Sequence, residues 1–183
     1  MFLVLVAALA VAVSTFWGLR FVSGLTLAST RAAGQQLPQI YVVGGLRIPL
    51  DKGLTRVDSN TSPRPAGRQL LLFGSDDCRA TTEILDNWVA LIRSVPFQRD
   101  DNIIVISVGD RTANTLRAVI QERGIAATVF SVTDVITWTQ SSGITGTPST
   151  LLLDEQNRVR LMATPAFVRD RQDVIRRYFD RQM

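Results

Sequence analysis

Cys78 is the only cysteine in this chain of 183 residues, and there is no histidine. A lone thiol supports one redox step: its thiolate attacks a disulfide, and the resulting mixed disulfide must be resolved by an outside thiol. The next three residues are Arg79, Ala80 and Thr81, so a threonine stands where a second cysteine would complete a dithiol motif. No internal disulfide can form. The lack of histidine excludes histidine general bases, histidine metal ligands and axial haem ligation, and neither a metal nor another cofactor is expected.

The neighbours of Cys78 set its reactivity. A thiol in the first turn of a helix meets unpaired backbone N–H groups and the positive end of the helix dipole, and both favour the thiolate. Arg79 acts in the same direction, whereas Asp76 and Asp77 favour the protonated thiol, each effect being of order 1 kcal/mol. Thr81 is placed either to hydrogen-bond the sulfur from one turn along or to satisfy backbone groups at the helix start. Glu83 is expected on the exposed helix face, and neither it nor Asp134 is assigned a proton-carrying role.

The elements that must hold this thiol follow from the hydrophobic pattern. Gln69 to Gly74, containing Leu70-Leu71-Leu72-Phe73, reads as a buried strand. Ser75, Asp76 and Asp77 are good N-cap residues, and Ile84, Leu85, Trp88, Val89, Leu91 and Ile92 recur at helical spacing up to Pro96. Asn102 to Val108 is a β-branched run suited to a central strand, and Asp110 is positioned to cap a helix that runs to Gly124. Ala127 to Val132 makes a third strand, Ser149 to Asp154 and Arg158 to Ala163 a closing antiparallel hairpin, and Val168 to Phe179 the last helix. Trp88 and Trp138 read as core residues. Earlier in the chain, Ile40 to Val43 and Leu46 to Leu50 bracket Gly44-Gly45 as a hairpin, and 51–68 reads as a surface loop rich in Ser, Asn, Pro and Gly. Strands alternating with helix-length stretches define an α/β domain with a central mixed sheet flanked by helices.

The hydrophobic fraction is 46% and the charged fraction 20%, which excludes overall disorder. The net charge of +4 rests almost wholly on arginines interleaved with Asp and Glu, so no nucleic-acid footprint is present. Met1 to Leu19 carry no charge, and the apolar character continues past Arg20 as far as Arg31. That run is long enough for the roughly 20 residues a membrane-spanning helix needs. It lacks the positive n-region of a cleavable signal peptide, which favours an uncleaved single-pass anchor over 1–30, a tether over 31–38 and a folded domain over 39–183.

In their order and separation, Leu71-Leu72-Phe73-Gly74-Ser75-Asp76-Asp77-Cys78 and Gly146-Thr147-Pro148, followed by Ser149-Thr150-Leu151-Leu152-Leu153-Asp154, resemble two landmarks of the thioredoxin superfamily. The chain resembles in particular membrane-tethered bacterial redoxins of the TlpA type and the accessory redoxins of methylamine utilisation, over about residues 38 to 180. The resemblance implies a thioredoxin-like fold, Cys78 as the attacking sulfur with Thr81 in place of the second thiol, and a cis Pro148 facing that sulfur. It further implies that Thr147, Pro148 and Arg79 contact an extended protein partner, and that the domain is extracytoplasmic, on the periplasmic side. Arg20 and Arg31 argue for the opposite orientation by the positive-inside rule. Two functions remain open. One is monothiol exchange with a protein disulfide or thiol partner, in redox maturation of extracytoplasmic proteins; the other is a degenerate binding or assembly subunit of a membrane complex. A peroxidase is disfavoured, because the Pro-x-x-x-Thr-x-x-Cys arrangement of peroxiredoxins is missing.

Overall fold

The computed structural model describes residues 40–41, 45–57 and 67–180. The chain divides into two units, Met1–Leu37 and Pro38–Met183, and all the described residues belong to the second. The expected anchor over 1–30 and tether over 31–38 lie outside them. Among the described residues, no helix is long and apolar enough to cross a membrane.

Seven strands form one sheet among the described residues. Its centre is β3 (Gln69–Ser75), β4 (Asn102–Val108) and β5 (Ala127–Val132), which run parallel. The hairpin of β6 (Ser149–Leu153) and β7 (Val159–Ala163) lies antiparallel beside β3. The edges are two short strands, β1 (Ile40–Tyr41) on β7 and β2 (Leu54–Arg56) on β5.

The continuous apolar runs of β3 and β4 follow from cover on both faces. Leu70 and Leu72 of β3 and Ile103 and Val105 of β4 point into a core closed by α1 (Arg79–Ser94), α2 (Arg111–Glu122), α4 (Pro165–Asp170) and α5 (Gln172–Phe179). Within it Trp88 is fully buried and its Nε1 donates to Thr150 Oγ1 at 2.8 Å. The alternate residues Leu71, Phe73, Ile104 and Ile106 face a second core, closed by Trp138 of α3 (Val135–Ser142), by Ile144 and by Ile48. Each fully buried aliphatic side chain contributes about 1.5–3 kcal/mol of transfer free energy.

Three expectations are corrected here. Ile40-Tyr41 and Leu46 to Ile48 do not pair with each other: β1 pairs with β7, the Val159 N–H donates to the Leu46 carbonyl, and Arg47 bridges Arg158. Both segments thus lie along one sheet edge, where Ala163, Met162 and Arg158 offer the free backbone. The stretch 51–68 is not wholly loop, since Leu54–Arg56 covers the otherwise unpaired edge of β5. The last helix is two, because Arg171 leaves the helical region at φ −132 and ψ 40. Thr164 and Pro165 start the first of them, the Thr164 hydroxyl accepting from the Phe167 N–H and the proline occupying N1.

The segment from Ile48 to Leu54 crosses the second face and meets α3 at Gly53. That residue has φ +67, and its carbonyl accepts from the N–H groups of Thr133 and Asp134. A Cβ there would lie 2.6 Å from the Asp134 carbonyl oxygen. Gly53→Ala should therefore cost about 1–3 kcal/mol in urea unfolding; an unchanged midpoint would contradict this account of the crossing.

Candidate functional site

The site lies at the carboxyl end of β3, where the strand gives way to α1. Cys78 is the N-cap of that helix, with extended backbone at φ −91 and ψ 114 and no side-chain cap bond. Its carbonyl accepts from the N–H groups of Thr81 and Thr82. The thiol is half-buried and sits at the open end of the helix, where the N–H groups of Arg79 and Ala80 have no acceptor within the helix itself.

The loop before β6 closes over this end. The Thr147–Pro148 peptide bond is cis, and Cys78 Sγ lies 3.4 Å from the Thr147 carbonyl oxygen, to which the neutral thiol donates. The structure therefore brings Cys78, Thr81, Thr147 and Pro148 to one place. The N–H of Thr147 has no hydrogen-bond partner among the described residues.

Hydrogen bonding lowers the Cys78 pKa from the ordinary cysteine value. The largest cause is a hydrogen bond to the Thr147 side chain, followed by the Thr81 N–H; partial burial opposes them, and the Thr81 hydroxyl and the Ala80 N–H add to the lowering. The Thr147 carbonyl, which accepts only from the protonated thiol, works against its own hydroxyl. Thr81 is buried and its Oγ1 accepts from the Ser75 N–H at 3.2 Å, which leaves the hydroxyl proton free for the sulfur. Arg79 does not share in this. Its Nε donates to Glu83 Oε1 at 2.8 Å, and with the side chain 92% exposed its charge is spent in solvent on the next turn.

The acids behave differently from the sequence expectation as well. Asp76 caps α2 rather than α1: its carboxylate accepts from the Arg111 N–H at 2.8 Å, the Thr112 N–H at 2.9 Å and the Thr112 hydroxyl at 2.7 Å. Asp110, the expected cap, makes no side-chain cap bond. Arg111 completes the clamp by donating from Nη2 to the Asp76 carbonyl at 2.8 Å. Partial burial pushes the Asp76 pKa up, but the Thr112 hydroxyl, the two backbone N–H groups and the Arg111 charge outweigh it and hold the carboxyl below its ordinary value. Gly109, at φ +96, leaves room for this carboxylate, since a Cβ there would lie 2.4 Å from Asp76 Oδ2. Asp134 caps α3 through the Thr137 N–H at 3.0 Å. Arg111 and Thr112 are site-supporting residues that the sequence reading missed, because a cap supplied from 35 residues away leaves no local signature. No group of three His, Cys, Asp or Glu side chains suited to a metal occurs among the described residues.

No protein-family model and no curated sequence matches this chain. The chain is similar to solved structures. The thioredoxin domain of a thiol-disulfide oxidoreductase from Bacteroides vulgatus superposes with a TM-score of 0.52 at 14% identity, over 76% of this chain and 100% of that one. StoA from Bacillus subtilis gives 0.44 at 10% identity, over 68% of this chain and 98% of its own. A DsbF homologue from Corynebacterium diphtheriae gives 0.42 at 15% identity, over 73% and 87%. The fold is thioredoxin-like, with a mixed sheet and flanking helices.

Alkylation of Cys78 by iodoacetamide, followed against pH, should show a midpoint below the free-thiol value of about 8.5. Thr81→Val should move that midpoint up and Thr81→Ser restore it; a midpoint indifferent to the hydroxyl would refute its role. Asp76 contributes stability that is fully present above its unfolded pKa of about 3.9 and is lost as pH falls through the lower folded value. The stability gap between wild type and Asp76→Asn should accordingly be widest near neutrality and narrow in acid, as read by urea unfolding from pH 7 downward.

Proposed function

We propose that this protein is a monothiol thiol-disulfide exchange protein in which Cys78 is the attacking sulfur. The observation that carries this reading is the half-buried thiol at the start of α1, lowered in pKa and facing Thr147. The Cys78 thiolate attacks one sulfur of a partner disulfide; a Cys78–partner disulfide forms, and the other partner sulfur leaves as a thiolate that takes up a proton from water. A second thiol, supplied from outside, then attacks the mixed disulfide, frees Cys78 and carries the bond away, so the protein ends unchanged and no net oxidant is consumed. An extended partner strand pairs with the unpaired Thr147 N–H while its cystine lies over the sulfur, in the manner of strand addition. Thr81 stabilises the thiolate and Pro148 shapes the groove.

In this reading the apolar stretch over 1–30 anchors the chain in a membrane, and the domain works on the extracytoplasmic side on proteins that mature by disulfide exchange. A second reading is favoured by one observation: the Thr81 side chain occupies the resolving position with its oxygen already bonded to the Ser75 N–H. A binding or assembly subunit of a membrane complex would use the same groove without turnover.

Incubation of the full chain with glutathione disulfide should give one glutathione adduct by mass spectrometry, removable by dithiothreitol and absent from Cys78→Ser. Pro148→Ala should slow exchange with a protein disulfide more than with glutathione disulfide, because only the larger partner needs the groove. Should Cys78→Ser keep the protein's biological role while Pro148→Ala destroys it, the exchange reading gives way to the binding one.

A further inference from the structure

The acids around Cys78 differ in what holds them. Asp76 is tied to α2 and offset by Arg111, and Glu83 is paired with Arg79. Asp77, the residue before the thiol, and Asp110, the residue before α2, have no such attachment. Both are exposed, and neither side chain makes a hydrogen bond or ion pair with a described residue. Both belong to the thiol's end of the sheet. The Asp76 N–H donates to the Val108 carbonyl at 2.9 Å, and a Cβ on Gly109 would lie 2.4 Å from Asp76 Oδ2. The turn that carries Asp110 therefore packs against the loop that carries Cys78.

The cations nearby do not cancel these two charges. Arg79 and Arg111 are taken up by Glu83 and Asp76, and on α4 Arg169 pairs with Asp170. Lys52 adjoins Gly53, whose carbonyl accepts from the Asp134 N–H, and so offsets Asp134. The partial positive charge at the start of α1 meets the sulfur itself and fades within a turn. Asp86, exposed on α1, lies about 12 Å along the helix from Cys78, beyond a Debye length in ordinary salt. Two negative charges are left beside the thiol, in a chain whose net charge is +4. They oppose ionisation of the sulfur and give the fold no bond in return, so their effect falls on what docks there.

We propose that the partner of Cys78 is a disulfide flanked by cationic groups, lysine or arginine side chains close to its cystine, which Asp77 and Asp110 attract as the partner strand settles on Thr147. This rests on Cys78 being the exchanging thiol; the acids do not make that site, they select the charge of what enters it. In water, a carboxylate within about 8 Å shifts the encounter of a unit charge by about twofold, so two of them separate a cation from an anion by about tenfold in dilute salt.

Cystamine, hydroxyethyl disulfide and 3,3′-dithiodipropionate share the same short arm and end in a cation, a hydroxyl and an anion. The Cys78 thiolate attacks one sulfur, a Cys78 mixed disulfide forms, and the other half leaves as a thiolate that takes up a proton from water. Mass spectrometry of the full chain follows this single addition. Each rate is divided by that of N-acetylcysteine amide with the same compound, which removes the disulfide's own reactivity. In dilute buffer cystamine should then exceed dithiodipropionate by about tenfold, with hydroxyethyl disulfide between them, and about 0.5 M salt should bring the ratio close to one. Asp77→Asn and Asp110→Asn should each lower the ratio by about threefold, and the double variant should abolish it. Equal corrected rates overturn the proposal, as does a ratio that salt or the two substitutions leave unchanged. No reaction with any of the three compounds overturns the exchange reading itself, and the charge preference with it. The salt series on the wild type needs no substitution, so it decides even if a variant does not fold.

Discussion

The carboxylate of Asp76 at the start of α2 is the contact on which the thiol's position depends. It ties the loop between β3 and α1 to a helix that begins 35 residues later, through three hydrogen bonds to Arg111 and Thr112. The Asp76 N–H meanwhile donates to the Val108 carbonyl, so the end of β4 holds this residue by its backbone while the first turn of α2 holds it by its side chain. Cys78 is two residues further on. With that loop fixed, the sulfur has little freedom other than to sit at the mouth of α1, where Ala80 and Thr81 offer their N–H groups and Thr147 lies opposite.

The same contact resolves an apparent conflict of charge. Two aspartates immediately before a reactive thiol oppose its ionisation. Asp76, however, is neutralised by Arg111 and by the amide groups of another helix, and the thiolate is stabilised by hydrogen bonds rather than by the adjacent cation Arg79, whose side chain is taken up by Glu83. Short-range hydrogen bonds to a half-buried sulfur keep their effect in salt, whereas an exposed cation would be screened.

Much of the fold was legible because its signals are local. The apolar runs of β3 and β4, the periodic faces of α1 and α2 and the β6–β7 hairpin were read within about a residue of their observed bounds. Non-local pairing was not legible. Ile40-Tyr41 and Leu46 to Ile48 look like two arms of a hairpin around Gly44-Gly45, but a hairpin and a continuous edge on β7 use the same residue types, and only the presence of β7 decides between them. Leu54–Arg56 was hidden for the same reason inside a segment whose composition is otherwise that of a loop. The nearness of Cys78 to Thr147 came from resemblance, since 69 residues of chain separate them. The unsatisfied amide of Asn102 lay in plain view at the start of a β-branched run, yet it reads as an ordinary strand boundary until its burial is known.

The two faces of the sheet are covered unequally. Four helices lie over one, while the other relies on α3 and on a single stretch of chain that starts along β7, crosses beneath Trp138 and ends along β5. That stretch works as a girdle: it supplies the outermost strand at both margins. Its release would bare the edges of β7 and β5 at once, two rows of unpaired backbone open to another chain, while the face covered by four helices stayed closed.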